Sequence, residues 1–151
     1  MAREGFGERD YRAGLPVARG NQKMFVQEVA LADAGGGAPV MASSGNVANA
    51  AATAALPATA VVTNYITGFS ITFAGATAAS VVVATITGLL GGTVSYVIAV
   101  PAGATVGGQP LAVDLAVPHP ASAANVAITL TLPALGAGNT NAAVNIRGFQ
   151  K

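Results

Sequence analysis

The sequence predicts an all-β protein, a jelly-roll-like antiparallel β-sandwich of about 7–8 strands with an extended N-terminal arm. Two observations support this fold class. From residue 60 onward, apolar side chains alternate with small or polar ones along successive short runs, and this period of two is that of strands with one buried face. Turns rich in Gly, Pro and Asn separate the runs, as in sandwiches and barrels built from short strands.

The predicted elements follow one another in a regular series. The apolar run at 24–31 (MFVQEVAL) is a candidate first strand, and Gly35–Gly37 marks a hinge after it. The stretch 43–58 (SSGNVANAAATAALPA) is predicted as extended although alanine favours helix, because Asn and Thr interrupt it. The clearer strands are predicted at 64–73, 82–87, 93–100, 111–117, 126–132 and 144–149.

The alternation and the prolines predict two details of these strands. In 64–73 the alternation predicts Tyr65 and Phe69 on one face and Asn64 on the other. Pro118 and Pro120 are expected to end the strand before them, because a proline has no N–H to donate to a neighbouring strand.

The uncharged segment 78–100 is long enough to raise the question of a membrane-spanning helix. Gly88, Gly91 and Gly92 interrupt it, and β-branched residues alternate in both halves. A hairpin of two strands is therefore predicted, and no membrane partner is expected. The first residues contain acidic side chains and no apolar core, so a secretory signal is not expected there either.

Charge is distributed very unevenly along the chain. Only 13 of 151 residues are charged, which is 9% against about 25% in an average domain. Ten of them lie in the first 33 residues, and Asp114 is the only one between 34 and 146. Soluble monomers usually keep charged surfaces and protect their edge strands with charges or prolines.

We therefore expect a subunit of a larger assembly. Residues 1–40 are predicted to form an arm, a first strand and a hinge, and residues 41–151 the body of the sandwich. An uncharged secreted or adhesive monomer is the alternative.

The segment 1–23 carries five basic and three acidic side chains. It is interpreted either as an ordered arm whose arginines dock on a partner, or as a solvated tail. Direct nucleic-acid binding is less favoured, because the acidic residues are interleaved with the basic ones and only Phe6 and Tyr11 could stack on bases. The net charge of +1 does not favour nucleic acid or an anionic membrane as a partner.

Residues that carry chemistry are scarce. There is no cysteine, one histidine and no phosphate-binding glycine loop. The only residues that resemble a catalytic triad are Asp114 and His119 together with Ser122 or Ser95. Asp114 and His119 are five residues apart across a strand end, and this spacing does not fix the geometry that such catalysis requires. We therefore expect a protein that is not an enzyme and that has no catalytic residue, metal site or cofactor.

The body of the sequence resembles small virion structural proteins of tailed bacteriophages. The likeness spans about residues 41–149 and is carried by segments such as YITGFSITFAGATAASVV, TVSYVIAVPAGAT and PHPASAANVAITLTLPALGAGNTNAAV. The resemblance implies a jelly-roll capsid decoration (cement) protein or a head-fibre or spike subunit. Such subunits are often trimeric.

Under the decoration hypothesis, the chain is assembled in the host cytoplasm into the virion. It forms a homo-oligomer, with a trimer favoured, and contacts the major capsid protein but not the nucleic acid directly. A host-surface receptor-binding or adhesin module, in a head fibre or tail tip, is the alternative. The arm lies outside the part that carries the resemblance, and its role follows from its charge. The interface with the capsid and with sister subunits is expected at Arg3, Arg9, Tyr11, Arg12, Arg19 and Phe25.

Overall fold

A computed structural model describes residues 37–151. The predictions made for 1–36, including the strand at 24–31 and the arm, lie outside this range. Residues 37–151 form eight strands and no helix. The strands are β1 (Ala38–Ser43), β2 (Ala52–Leu56), β3 (Asn64–Phe73), β4 (Ser80–Leu89), β5 (Gly92–Val100), β6 (Leu111–Pro120), β7 (Ile128–Leu132) and β8 (Ala142–Gln150).

The strands pair in a nested order. β4 pairs with β5, β3 with β6, β2 with β7 and β1 with β8, all antiparallel, which amounts to one long hairpin folded along its length. Further pairs, β3 with β8 and β4 with β7, close the rolled hairpin into two four-stranded sheets. The first sheet has the order β1-β8-β3-β6 and the second the order β2-β7-β4-β5. This is the eight-stranded jelly roll, so the predicted fold class is confirmed.

The core lies between the two sheets and follows from the alternation in the sequence. β7, for example, buries Ile128, Leu130 and Leu132 and leaves Thr129 and Thr131 on the other face. Burying a side chain of this size stabilises the fold by about 1.5–3 kcal/mol. The largest fully buried apolar side chains are Phe69, Leu56, Ile66, Ile71, Ile128, Leu130, Leu132, Leu135, Ile146 and Val144.

A β-bulge corrects the predicted faces of β3. The pairing of β3 with β8 shifts between Ile66 and Gly68, and Thr67 is an extra residue on β3 with no partner on β8. The shift reverses the alternation: Phe69 lies in the core, whereas Tyr65 lies on the outer face. Asn64, predicted to face outward, is fully buried.

The buried Asn64 ties four parts of the chain together. Its amide Nδ2 donates to the carbonyl oxygens of Pro57 at 2.9 Å and Val126 at 2.8 Å, with a longer contact to the Leu56 carbonyl at 3.5 Å. Its Oδ1 accepts a 3.0 Å hydrogen bond from Gln150 Nε2. Both ends of the amide are therefore paired, which a buried polar group requires.

The prolines near the end of β6 do not terminate it. The strand continues through Pro118 and His119 to Pro120, and the pairing resumes at His119 opposite Ile66 after an irregular stretch that follows Asp114. β6 lies at the edge of its sheet, so a residue without an N–H donor is tolerated on the unpaired side.

The predicted hairpin within 78–100 is present. β4 and β5 pair from Ser80 opposite Val100 to Leu89 opposite Gly92. No helix within 37–151 is long and apolar enough to cross a membrane. The stretch 43–58 contains no helix either; it comprises the end of β1, a bridge at Val47 and β2. β1 begins at Ala38, before the body boundary at residue 41 that the sequence suggests.

Candidate interaction surfaces

The outer face of the first sheet carries a pair of stacked aromatic rings and an ion pair. Tyr65 on β3 stacks on Phe149 on β8, with ring centroids 4.9 Å apart and planes 8° from parallel. Next to them, the Arg147 guanidinium on β8 forms an ion pair with the Asp114 carboxylate on β6. Pro39 and Met41 of β1 pair with Phe149 and Arg147 and extend the same face to its edge, where Met41 is exposed.

Gly68 explains how the ion pair crosses a strand. It lies on β3 between the two partners, opposite Arg147 on one side and Asp114 on the other. A Cβ at this position would lie 2.9 Å from Arg147 Nη2 and 2.7 Å from the Val113 carbonyl oxygen. The missing side chain thus leaves the path along which Arg147 reaches Asp114.

Replacing Asp114 with asparagine is expected to change the free energy of unfolding by less than about 1 kcal/mol, because both partners of the ion pair are exposed and solvent screens their attraction. Urea unfolding monitored by circular dichroism measures this change. A loss above about 2 kcal/mol would contradict this assignment and show that the pair organises the sheet.

The outer face of the second sheet is uncharged throughout. No residue of its four strands β2, β4, β5 and β7 carries a formal charge. Towards β2 the face is formed by threonines such as Thr53 and Thr131, whose hydroxyls lie 3.5 Å apart. Towards β5 it becomes apolar: Val81 is 66% exposed, Val97 is 74% exposed and Val83, paired with Val97, is also exposed.

The sandwich is less closed on the side of β5 and β6 than on the side of β2. The inward-facing residues of β2, Ala52, Ala54 and Leu56, are buried, whereas no residue of β6 is. Between β5 and β6 lies a groove of about 360 Å³. It is lined by Phe73, Val97, Ile98, Ala99, Gln109, Pro110 and Leu111.

A second, larger cavity of about 500 Å³ lies between the loop after β3 and the loop after β7. Alanines make up much of its lining, which also includes Thr77, Ser80, Val82 and Leu135, and none of the lining residues is charged. Without a charged or ring-bearing side chain, this cavity offers little to select a ligand.

Known proteins offer no guide to the function of this chain, so a function has to be inferred from the surfaces described above. No family model, no curated protein and no solved structure matches the chain. The jelly roll itself serves viral capsid proteins, lectins and enzymes alike, so the architecture does not select a function among them.

The residues that resembled a triad are not assembled into one. Asp114 is engaged by Arg147 on the outer face of the first sheet, while Ser95 lies on β5 of the second sheet. His119 is exposed on β6, and the backbone N–H of Ser122 donates to the Gly88 carbonyl in a turn. Within 37–151 no three His, Cys, Asp or Glu residues group as a metal site would require.

The predicted interface residues Arg3, Arg9, Tyr11, Arg12, Arg19 and Phe25 lie outside the residues that the structure describes. The exposed valines around β5 were not singled out by the sequence. The valines of β4 and β5 alternate as they would in a strand that is covered by neighbours. Only the order of the strands in the two sheets shows that the β5 side of the sandwich is open.

Proposed function

We propose that the protein is a structural component of a bacteriophage virion, where it decorates and stabilises the capsid. The body self-associates and the N-terminal arm docks on the major capsid protein. The observation that carries this proposal is a surface with very little charge and several exposed apolar side chains. The resemblance of residues 41–149 to tailed-phage structural proteins supports the same role.

The described body carries very little charge. Its only charged side chains are Asp114, Arg147 and Lys151, and the first two neutralise each other. Nine large hydrophobic side chains of the same body are exposed, most of them valines. Removing apolar surface from water is favourable by about 25 cal/mol per Å², so contacts with neighbouring subunits would stabilise such a surface. Neighbours in a shell can provide those contacts.

The arm supplies what the body lacks. Ten charged residues lie in the first 33, and four of them are the arginines Arg3, Arg9, Arg12 and Arg19. Arginine forms paired hydrogen bonds with carboxylates, which fits docking on an acidic or carbonyl-rich surface of the capsid lattice. Because the subunits of one oligomer are held together, weak contacts made by each of their arms add up to firm attachment of the oligomer.

In this role the protein has no catalytic function and uses no cofactor. It acts as a homo-oligomer, for which a trimer is the favoured state. Its partner is the major capsid protein rather than nucleic acid or membrane, and its location is the virion, assembled in the host cytoplasm.

Binding to capsid shells tests the proposal. Purified full-length protein is mixed with empty shells assembled from the major capsid protein of the same genome, and the bound fraction is measured by sedimentation. We expect the full chain to bind. Replacing Arg3, Arg9, Arg12 and Arg19 together with glutamine should weaken binding at least about tenfold, since four charge-assisted contacts are removed. Deleting residues 1–23 should abolish it.

Lys151→Gln serves as the control, because it removes a positive charge from the body and should leave binding unchanged. Undiminished binding after the deletion would exclude the arm as the anchor. If the full chain bound host cells but not capsid shells, the protein would be a receptor-binding module and not a decoration protein.

A further inference from the structure

Four strands form the edges of the two sheets in the described body, and three of them are protected against pairing with another strand. β6 contains two prolines, Pro118 and Pro120, together with the charged Asp114. β1 contains Pro39, and β2 has only five residues and is followed directly by Pro57. Prolines, charges and short length are the usual means by which proteins prevent edge-to-edge association.

The fourth edge, β5, has none of these features. Its nine residues, Gly92–Val100, include no proline and no charge. Its pairing with β4 is regular from Val94 to Val100, and its other side has no strand partner within the described body. A strand of this length presents an edge about 30 Å long with unpaired N–H and C=O groups.

Exposed apolar side chains lie around this edge on both faces of the sheet. On the outer face, Val97 and Val81 are the most exposed, and Val83 lies beside them. On the inner face, Val94 shares the orientation of the buried Ile98, yet it is 40% exposed. The neighbouring edge β6 leaves its inward-facing Leu111, Val113 and Leu115 only partly buried.

We infer that β5 is a self-association edge, where β5 of a second copy of this chain pairs antiparallel about a two-fold axis. The two second sheets then join into one sheet of eight strands. Such a contact is self-complementary, because the same row of backbone donors and acceptors faces itself after the rotation. The inference rests on the proposed function only in that both require self-association.

The chemistry of the edge favours a second copy over other partners. A nucleic acid, an anionic lipid surface or a charged peptide would need an opposite charge, and neither β5 nor the adjacent β4 carries one. Two copies bring no like charges together. They bring the exposed Val97 side chains of both copies close to the axis on the outer face and cover the half-buried side chains on the inner face, which favours association.

This two-fold contact differs from the contact that would build a trimer. A three-fold assembly joins unlike patches head to tail, whereas the β5 contact uses the same patch in both copies. A trimer and a β5 pair can coexist only on separate surfaces of the subunit.

The mass of the full-length protein, measured by light scattering over a concentration series, tests the inference. We expect even-numbered species. Val97→Lys should raise the dissociation constant at least about tenfold, because Val97 lies one residue from the middle of β5 and the substitution places two like charges near the axis. Ser95→Lys, on the same face of β5, provides a second variant if the first folds poorly.

Thr53→Lys is the matched control, since it adds the same charge at an exposed position on the edge strand β2 of the same sheet. Circular dichroism confirms that each variant is folded. The β5 contact would be overturned if Val97→Lys and Ser95→Lys associated as tightly as the control, or if the protein were exclusively trimeric. Either result would leave the assembly role standing. A monomer at every concentration would overturn both. Even-numbered species that do not bind capsid shells would overturn the decoration role alone.

Discussion

Replacing Asn64 with aspartate is expected to destabilise the protein by about 3–5 kcal/mol at neutral pH, the range measured when a buried charge loses its partner. Asparagine and aspartate have nearly the same shape, so the change leaves packing intact. It removes an amide that donates to the carbonyl oxygens of Pro57 and Val126 and puts a carboxylate oxygen in its place. The new carboxylate oxygen then faces two carbonyl oxygens in a site that water does not reach.

The pH dependence of this variant separates the electrostatic cause from a packing defect. Burial and the surrounding carbonyl oxygens would raise the pKa of the introduced carboxyl group above its unfolded value. The folded state then binds the proton more tightly than the unfolded state, so stability should increase as the pH falls towards the unfolded pKa. Chemical unfolding at several pH values measures the trend. A deficit that does not vary with pH would contradict this explanation.

Asn145→Asp is the control for Asn64→Asp. Asn145 lies on β8 on the outer face of the first sheet, where it is only partly buried and its Nδ2 donates to Ser70 Oγ at 3.2 Å. The same chemical change there meets solvent and a hydroxyl that can turn to donate. We expect it to shift the free energy of unfolding by less than about 1 kcal/mol.

Replacing Gly148 with alanine is expected to destabilise the protein by about 3 kcal/mol, at the upper end of what overpacking usually causes. Gly148 lies on β8 between β1 and β3, opposite Val40 and Ile66. A Cβ at this position would overlap the carbonyl oxygen of Tyr65 and lie 3.0 Å from Leu56 Cδ1. The first of these atoms belongs to the backbone, so relief requires the strands to move apart.

Gly107→Ala is the matched control for Gly148→Ala. A Cβ at Gly107 would meet no atom within 4 Å, and the backbone there does not adopt the left-handed conformation that favours glycine. Differential scanning calorimetry of both variants compares the two positions. Equal melting temperatures would show that β3 and β8 can separate at little energetic expense, contrary to the packing described above.

The fold could be predicted from the sequence because each strand has one face that must be buried. The runs that became β7 and β8 alternate cleanly, and their turns contain glycine and proline. The Thr67 bulge could not be predicted, because an extra residue in a strand leaves the composition unchanged and only shifts the faces. The burial of Asn64 followed from that shift, and so did the position of Tyr65 beside Phe149.

The candidate surfaces were only partly accessible to sequence reasoning. The scarcity of charge is a property of composition, and it indicated association without locating it. The assignment of β5 as an unprotected edge depends on which strands lie in the middle of each sheet, and pairs such as β3 with β8 join residues far apart in the chain. Alternation within a single run carries no information about such neighbours.

The nested strand order also has a consequence for how the chain folds. The innermost pair joins Leu89 to Gly92, three positions apart, while the outermost joins Ala38 to Gln150, 112 positions apart. Closing a long loop loses chain entropy before its contacts can compensate, so the turn between β4 and β5 is the natural place for structure to begin. Each strand pair that forms shortens the loop that the next pair outward still has to close. A chain of this topology should therefore fold on the millisecond-to-second timescale of non-local β proteins, with the β1–β8 pair completed last.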